Sequence, residues 1–230
     1  MIVILGAMDA EISEFLTGMA GRVVENWAGG VCHHGRLDGH EVIVARSGVG
    51  KVMAAMTTQF LIGAYKPRAL LFTGLAGSLR PYIRIGDTII ARDLVQHDID
   101  ATVAGFPRGN IPYTPWRFIE SDPDILAVAS SFVSAEGAVH AGRICTGDQF
   151  ITHREMESHS YLSEELAGDA VEMEGAAVAL VCAIHKVRFL VARTISDMAD
   201  ASAGVDFSSF LPRASRNSLA LVRHLLPLIK

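Results

Sequence analysis

The sequence predicts an α/β fold, a three-layer αβα sandwich on a mixed central sheet. Three observations carry that reading. Short β-branched or apolar runs alternate with segments of helical spacing along the chain. Half of the residues are hydrophobic and only 20% are charged, a composition suited to a thick, well-covered core. Twenty-one glycines against eight prolines supply tight turns and close backbone approaches between the elements. A length of 230 residues fits one large α/β domain. No linker, internal repeat or low-complexity tract divides it, so residues 1–230 are read as a single domain.

Ile2 to Leu5, closed by Gly6, has the β-branched character of a fully buried strand. Asp9, Glu11 and Glu14 with Ile12, Phe15 and Leu16 give helical spacing. Val31 to Leu37 and Glu41 to Ala45 flank Asp38-Gly39, a strong hairpin signal. A helix rich in Ala and Met is expected from Lys51 to Ala64. Ala69 to Thr73 reads as a central strand ending in a small-residue turn, Gly74-Leu75-Ala76-Gly77. Asp87 to Ala91 starts another strand. The stretch from Asp98 to Arg117 holds three prolines and three aromatic residues and has the character of a functional or partner-packing loop. Helix is expected again over Asp122 to Val133, and strand over Ala138 to Cys145. Thr152 to Ala167 is polar and carries no clear pattern. Val171 sits in a short strand, Gly175 to Ile184 is an apolar, buried helix, and Phe189 to Ile195 is the last strand. An amphipathic helix from Ser208 to Leu226 closes the chain.

Several functional classes are disfavoured. The formal charge of −5 and the lack of any Lys/Arg run leave no basic stripe for nucleic acid. The apolar stretches are too short to span a bilayer, and the apolar N-terminus lacks the basic lead of a signal peptide. Cys32, Cys145 and Cys182 are odd in number, widely spaced and form no CxxC pair, which suits buried thiols in a reducing, cytoplasmic compartment. Ser47-Gly48-Val49-Gly50-Lys51 lacks the third glycine of a dinucleotide loop and the Ser/Thr of a P-loop. His33 and His34 are adjacent in a strand and point to opposite faces, so they make a poor metal site. No metal and no cofactor are expected.

What remains is a set of small-residue and carboxylate motifs placed after predicted strands: Gly6-Ala7-Met8-Asp9-Ala10-Glu11, Thr73 to Gly77, Val171-Glu172-Met173-Glu174 and Thr194-Ile195-Ser196-Asp197. Ligands of open α/β sheets bind outside the carboxyl ends of the strands, so these motifs are expected to converge and to bring Glu11, Glu174 and Asp197 together. Each has an ordinary reading by itself. Glu11 suits a solvated helix position, Asp197 a helix N-cap, and Met173 and Phe150 a hydrophobic core. Taken in order with Ser47-Gly48-Val49-Gly50-Lys51 and Thr146-Gly147-Asp148-Gln149-Phe150-Ile151, the set resembles the nucleoside phosphorylase superfamily. Its details are similar to the methylthioadenosine/S-adenosylhomocysteine nucleosidase branch. The resemblance runs from Ile2 to the last helix.

That resemblance implies a nucleoside phosphorylase-like fold and hydrolysis of the N-glycosidic bond of methylthioadenosine and S-adenosylhomocysteine, releasing adenine and a thioribose sugar. It implies that Asp197 protonates N7 of adenine, which requires an acid whose pKa is raised by its surroundings, and that Glu11 takes a proton from the attacking water. Glu174 would bind the ribose hydroxyls, a task suited to an ionised, acceptor-only carboxylate. Met173 would pack on the sugar, Phe150 would stack on adenine, and the Ile151 backbone would read its edge. Gly77 would allow close backbone approach. Arg193 would hold Glu11 or the water, Ser196 belongs to the substrate-binding set, and Met8 and Phe207 would line the 5′-thio end. Glu172 is open between a structural and a ribose-side role.

The chain departs from that family at Leu75, where a water-positioning serine is usual. Compensation by Thr73, Ser78 or Arg193, or a shifted substrate preference, is then implied. It also has Ala104, with Phe106 two positions on, where relatives carry a phenylalanine that reaches the neighbouring subunit; Pro112 and Tyr113 keep a partner-facing segment. A homodimer with the Asp98–Arg117 loop at the subunit contact is expected, with a small nucleoside as substrate and neither nucleic acid nor membrane as partner. The alternatives are a purine nucleoside or methylthioadenosine phosphorylase, a futalosine-type hydrolase and a non-catalytic nucleoside-binding protein. The first glycine turn bears Met8, Asp9 and Glu11 and no arginine, which disfavours a phosphate site.

Overall fold

The structure, a computed structural model, describes residues 1–151, 157–197 and 203–229, and of 157 and 203–209 the backbone alone. The elements in order are β1 (Ile2–Gly6), α1 (Asp9–Gly18), β2 (Ala20–Trp27), β3 (Gly30–Leu37), β4 (His40–Arg46), α2 (Lys51–Tyr65), β5 (Ala69–Ser78), β6 (Thr88–Gln96), β7 (Ile119–Glu120), α3 (Pro123–Ala129), β8 (Val139–Thr146), α4 (Tyr161–Glu164), β9 (Ala170–Glu172), α5 (Gly175–His185), β10 (Arg188–Asp197) and α6 (Ala203–Leu225).

One mixed sheet runs through these elements. In one half β5, β1 and β4 are parallel neighbours, and β3 and β2 extend them antiparallel to the edge. The β3–β4 turn is the expected Asp38-Gly39, with φ of 48° and 86°. Alternate residues of β1 face opposite layers. Val3 and Leu5 join a core with α2 and α5, while Ile2 and Ile4 join one with α1, α3 and α6. Helices therefore cover both faces, and the sheet is the middle of three layers.

The other half of the sheet curls into a ring. β10 runs parallel to β5 and antiparallel to β6; β6 is parallel to β8, β8 to β9, and β9 returns antiparallel to β5. This works because two strands share one edge of β5. β1 pairs with Ala69–Phe72, and β9 takes Gly77 and Ser78 beyond it.

Several boundaries differ from the sequence expectation. β5 continues through Gly74-Leu75-Ala76-Gly77, because β10 pairs with it along that whole length, from Arg188 opposite Ala69 to Asp197 opposite Gly77. α3 stops at Ala129, where Ser130 and Ser131 turn their hydroxyls back onto the Leu126 and Val128 carbonyls. β2 had no sequence signal, since it is an edge strand exposed along nearly its whole length and has no buried face to leave a pattern. Cys32, Cys145 and Cys182 are buried, unpaired thiols. Among the described residues no helix is long and apolar enough to cross a membrane.

Candidate active site

A cavity of about 210 Å³ opens where β1, β5, β9 and β10 end. Met8, Glu11, Gly77, Phe150, Ile151, Met173, Glu174, Ser196 and Asp197 all line it, so nine of the expected site residues meet in one place. Arg193 stands behind the wall, 2% exposed. Phe207 has its backbone in α6, and its side chain lies outside the described residues.

Glu11 sits in the first turn of α1 but turns inward, and it is only 5% exposed. Three backbone amides fix its carboxylate. Ala7 and Met8 donate to Oε2 at 2.6 and 2.9 Å, and Leu75 donates to Oε1 at 3.1 Å. Burial nevertheless dominates and pushes its pKa up, against the pull of Arg193 and those amides. A carboxylate so placed is more basic than a solvated glutamate and cannot swing away. The close packing depends on Gly74, where a Cβ would lie 2.6 Å from Glu11 Oε1 and 3.0 Å from Arg193 Nη1.

Arg193 is clamped by Glu172. Its Nε and Nη2 donate to Glu172 Oε2 at 3.2 and 2.5 Å, and its guanidinium lies 4.0 Å from the Phe72 ring centroid. Nη1 is buried without a hydrogen-bond partner. Glu172 also accepts from the Thr146 hydroxyl and from the amides of Glu174 and Gly175. A carboxylate with that many donors has little left for a ligand, so the structural alternative holds for Glu172. Glu174 is different. Its Oε1 accepts from the Gly50 amide at 2.8 Å, and its Oε2 is 4.0 Å from Arg193 Nη2. Burial, and then the charge of Glu172, push the Glu174 pKa up.

Ser196 and Asp197 are consecutive, yet both line the cavity. Neighbours on a regular strand face opposite sides, but the β5–β10 register shifts between Ile195 and Asp197. That irregularity re-aims the end of β10, as bulges commonly do beside functional sites. Asp197 is 3% exposed and accepts from the Ser196 hydroxyl at 2.8 Å.

Phe150 forms the rim, 48% exposed, with the buried Ile151 beside it. Leu75 packs its side chain on Phe210, Ala214 and Leu211 while its amide grips Glu11. Of the groups considered as substitutes for a serine there, Ser78 is committed to the Arg80 main chain, whereas Thr73 Oγ1 is buried without a partner. The sequence reading missed Val49 and Gln149 in the wall. It also missed the amides of Ala7, Gly50 and Leu75, since backbone donors carry no residue-type signal. Among the described lining residues none is Lys or Arg, and four are carboxylates: Glu11, Glu172, Glu174 and Asp197.

Comparisons with known proteins fit this geometry. The family model described as the phosphorylase superfamily matches residues 1–227. A 5′-methylthioadenosine/S-adenosylhomocysteine nucleosidase of Shewanella loihica is 39% identical over 225 residues, 97% of each chain. Among solved structures, a Helicobacter pylori nucleosidase of that name, as an Asp-to-Asn variant with 5′-methylthioadenosine in its active site, is 37% identical with a TM-score of 0.92, covering 99% of this chain and 98% of its own. The futalosine hydrolase of Helicobacter pylori is 36% identical with a TM-score of 0.90, covering 99% of this chain and 97% of its own.

Proposed function

The chain belongs to the phosphorylase superfamily, in its 5′-methylthioadenosine/S-adenosylhomocysteine nucleosidase family, and from that premise we propose that it hydrolyses the N-glycosidic bond of those two nucleosides. The observation that carries the reading is the meeting of Glu11, Glu174 and Asp197 in one cavity. Asp197 protonates N7 of adenine, so the base leaves as a neutral molecule while the ribosyl carbon becomes cationic. Glu11 takes a proton from the water that attacks that carbon. Its raised basicity and its three amide donors support this role. Arg193 Nη1, buried beside Glu11 and held by Glu172, helps place that water. Glu174 takes the ribose hydroxyls, Met173 packs on the sugar, and Phe150 stacks on the base. The Ile151 backbone reads the base edge, Gly77 admits it closely, Ser196 orients Asp197, and Met8 and Phe207 line the 5′-thio end.

Water rather than phosphate is the acceptor because four carboxylates and no cation line the described wall. A phosphate dianion there would be repelled. The test is to follow adenine release from methylthioadenosine with and without phosphate. Equal release with free methylthioribose is expected; release only with phosphate would establish a phosphorylase. The similarity to a futalosine hydrolase favours a second reading, so a futalosine-type nucleoside belongs in the same assay.

The protein works as a homodimer through the 98–117 loop. Val103 and Tyr113 project from that loop, and α2 turns Val52, Met53 and Met56 outward, apolar side chains of the kind that mark association surfaces. Size-exclusion chromatography with light scattering should give twice the chain mass, and a monomer would overturn the assignment. Three unpaired buried thiols support a cytoplasmic location.

A further inference from the structure

Lys51 begins α2, two residues after Val49 in the cavity wall, and two distant stretches of chain meet on it. Its ammonium lies 2.5 Å from Asp98 Oδ1 and 3.9 Å from Asp148 Oδ2. Its own amide donates to Asp148 Oδ1 at 2.8 Å, and the Asp148 amide donates to Asp98 Oδ2 at 3.0 Å. The preceding amide, of Gly50, holds Glu174. Gly50 needs its glycine for this, since φ is 87° and a Cβ would approach Asp148 Oδ1 to 3.1 Å. The Lys51 side chain is 16% exposed and that of Asp98 25%, so the contact is partly shielded from water. Burial would push the Asp98 pKa up; the Lys51 hydrogen bond and the Asp148 amide outweigh it and hold that carboxyl below the usual range.

One backbone turn thus fixes two things at once, the carboxylate assigned to the ribose and the loop that ends in Phe150 and Ile151. We propose that Lys51 is a positioning residue: through Asp98 and Asp148 it sets the base-stacking loop 147–151 at its working distance from Glu174, and ties both to the start of the 98–117 loop. Without its charge, Asp98 and Asp148 face each other with no cation between them, and the loop is held there by the Lys51 and Asp148 amides alone. Glu11, Asp197 and Arg193 keep their own partners. The loss therefore falls on nucleoside binding more than on bond cleavage.

The kinetic part of this inference rests on the function proposed above, and the exchange part does not. The Lys51→Met variant of the full chain should raise KM for methylthioadenosine about tenfold while kcat falls less than about threefold, a pattern of lost binding rather than lost transition-state stabilisation. Asp98→Asn should do the same, and the double variant should be no worse than Lys51→Met alone, because both remove one interaction. Lys51→Arg should restore most of the KM. In the ligand-free protein, amide hydrogen exchange over 147–151 should be faster in Lys51→Met than in the parent chain. Unchanged exchange and KM, or a fall in kcat at constant KM, would overturn the proposal. A lowered melting temperature with KM unchanged would also overturn it, leaving Lys51 a purely structural residue. If the parent chain releases no adenine, the function fails, while the exchange measurement still decides the role of Lys51.

Discussion

Arg193 gives Nε and Nη2 to Glu172 and comes no nearer to Glu174 Oε2 than 4.0 Å, so two glutamates two positions apart in one motif end with opposite duties. Glu172 is consumed by holding Arg193 and the start of α5; Glu174 faces the ligand space. Their division was not legible in the sequence, because the deciding partners of Glu172, Thr146 and Arg193, lie 26 and 21 residues away. Glu172→Gln should therefore behave as a folding variant. Breaking a buried ion pair costs about 3–5 kcal/mol, which for a chain of this size lowers the melting temperature by roughly 10 °C; calorimetry would show it. Asp197→Asn should keep the fold and the nucleoside but lose roughly 10²–10⁴ in kcat, the usual worth of a general acid. Calorimetric titration beside turnover separates the two. Glu11 must be ionised to accept a proton, and burial raises its pKa above 4.5. The acid limb of kcat/KM should therefore lie above the ordinary glutamate range, with activity falling as pH drops through it. A limb at or below about 4.5 would assign the base elsewhere.

At the level of elements, the site depends on how β5 and β10 end. The helices α2 and α5 were legible within a residue or two from their composition, rich in Ala and Met in one and apolar all round in the other, and so was the Asp38-Gly39 hairpin. The continuation of β5 through Gly74 to Ser78 was not, because small residues there look like a turn when the pairing strand is unknown. The same glycine is what lets Glu11 and Arg193 approach β5. In Gly74→Ala the added methyl would meet a carboxylate already held by three amides, so Glu11 has nowhere to retreat. Displacements of about 1 Å can cost roughly 10²-fold in rate. Gly74→Ala should lose at least that in kcat with a smaller change in KM, and near-normal turnover would show that Glu11 is not held as described. α6 carries a matching constraint. Asn217 donates to Thr88 and Thr194 hydroxyls at 2.7 and 2.9 Å, and the Ser215 hydroxyl donates to the Glu11 carbonyl at 3.2 Å. The last helix is thereby locked to β6 and to α1 and β10, the two that carry Glu11 and Asp197. Its amphipathic stripe was readable, whereas these polar anchors sit where the pattern predicts only apolar packing.

For the molecule as a whole, the convergence of the motifs was legible because ligand sites in such sheets gather at strand ends. The ring closed by β9 was not, since it joins three-residue and ten-residue strands with no local signature. Four buried carboxylates, Glu11, Glu172, Glu174 and Asp197, line the cavity at the end of the ring, and the first three act on one buried guanidinium, Arg193. Such a site favours a ribosyl centre that becomes positive during bond cleavage, and preorganised charge of this kind is a large source of rate enhancement. Gathering these carboxylates out of water carries a corresponding cost in stability. Burial raises the pKa values of Glu11 and Glu174 above 4.5, so above that value the folded chain holds protons that the unfolded chain releases. Their favourable contribution is complete below about pH 4.5 and is lost as pH rises through the raised values. Asp87, Asp98 and Asp122 are shifted the other way, and their contribution fades only as pH falls below the ordinary aspartate value of 3.8. The melting temperature should therefore peak near about pH 5 and decline toward about pH 8. Glu174→Gln keeps an acceptor for Gly50 but removes one buried charge, so it should melt a few degrees higher than the parent at about pH 8 and equally at about pH 4.5, with roughly 2–4 °C expected for each kcal/mol recovered. The same variant should bind the nucleoside poorly, since it weakens the acceptor assigned to the ribose. A Glu174→Gln chain less stable at about pH 8 would mean that Arg193 and Gly50 already compensate the charge fully, and that the site stores no electrostatic strain for the reaction to use.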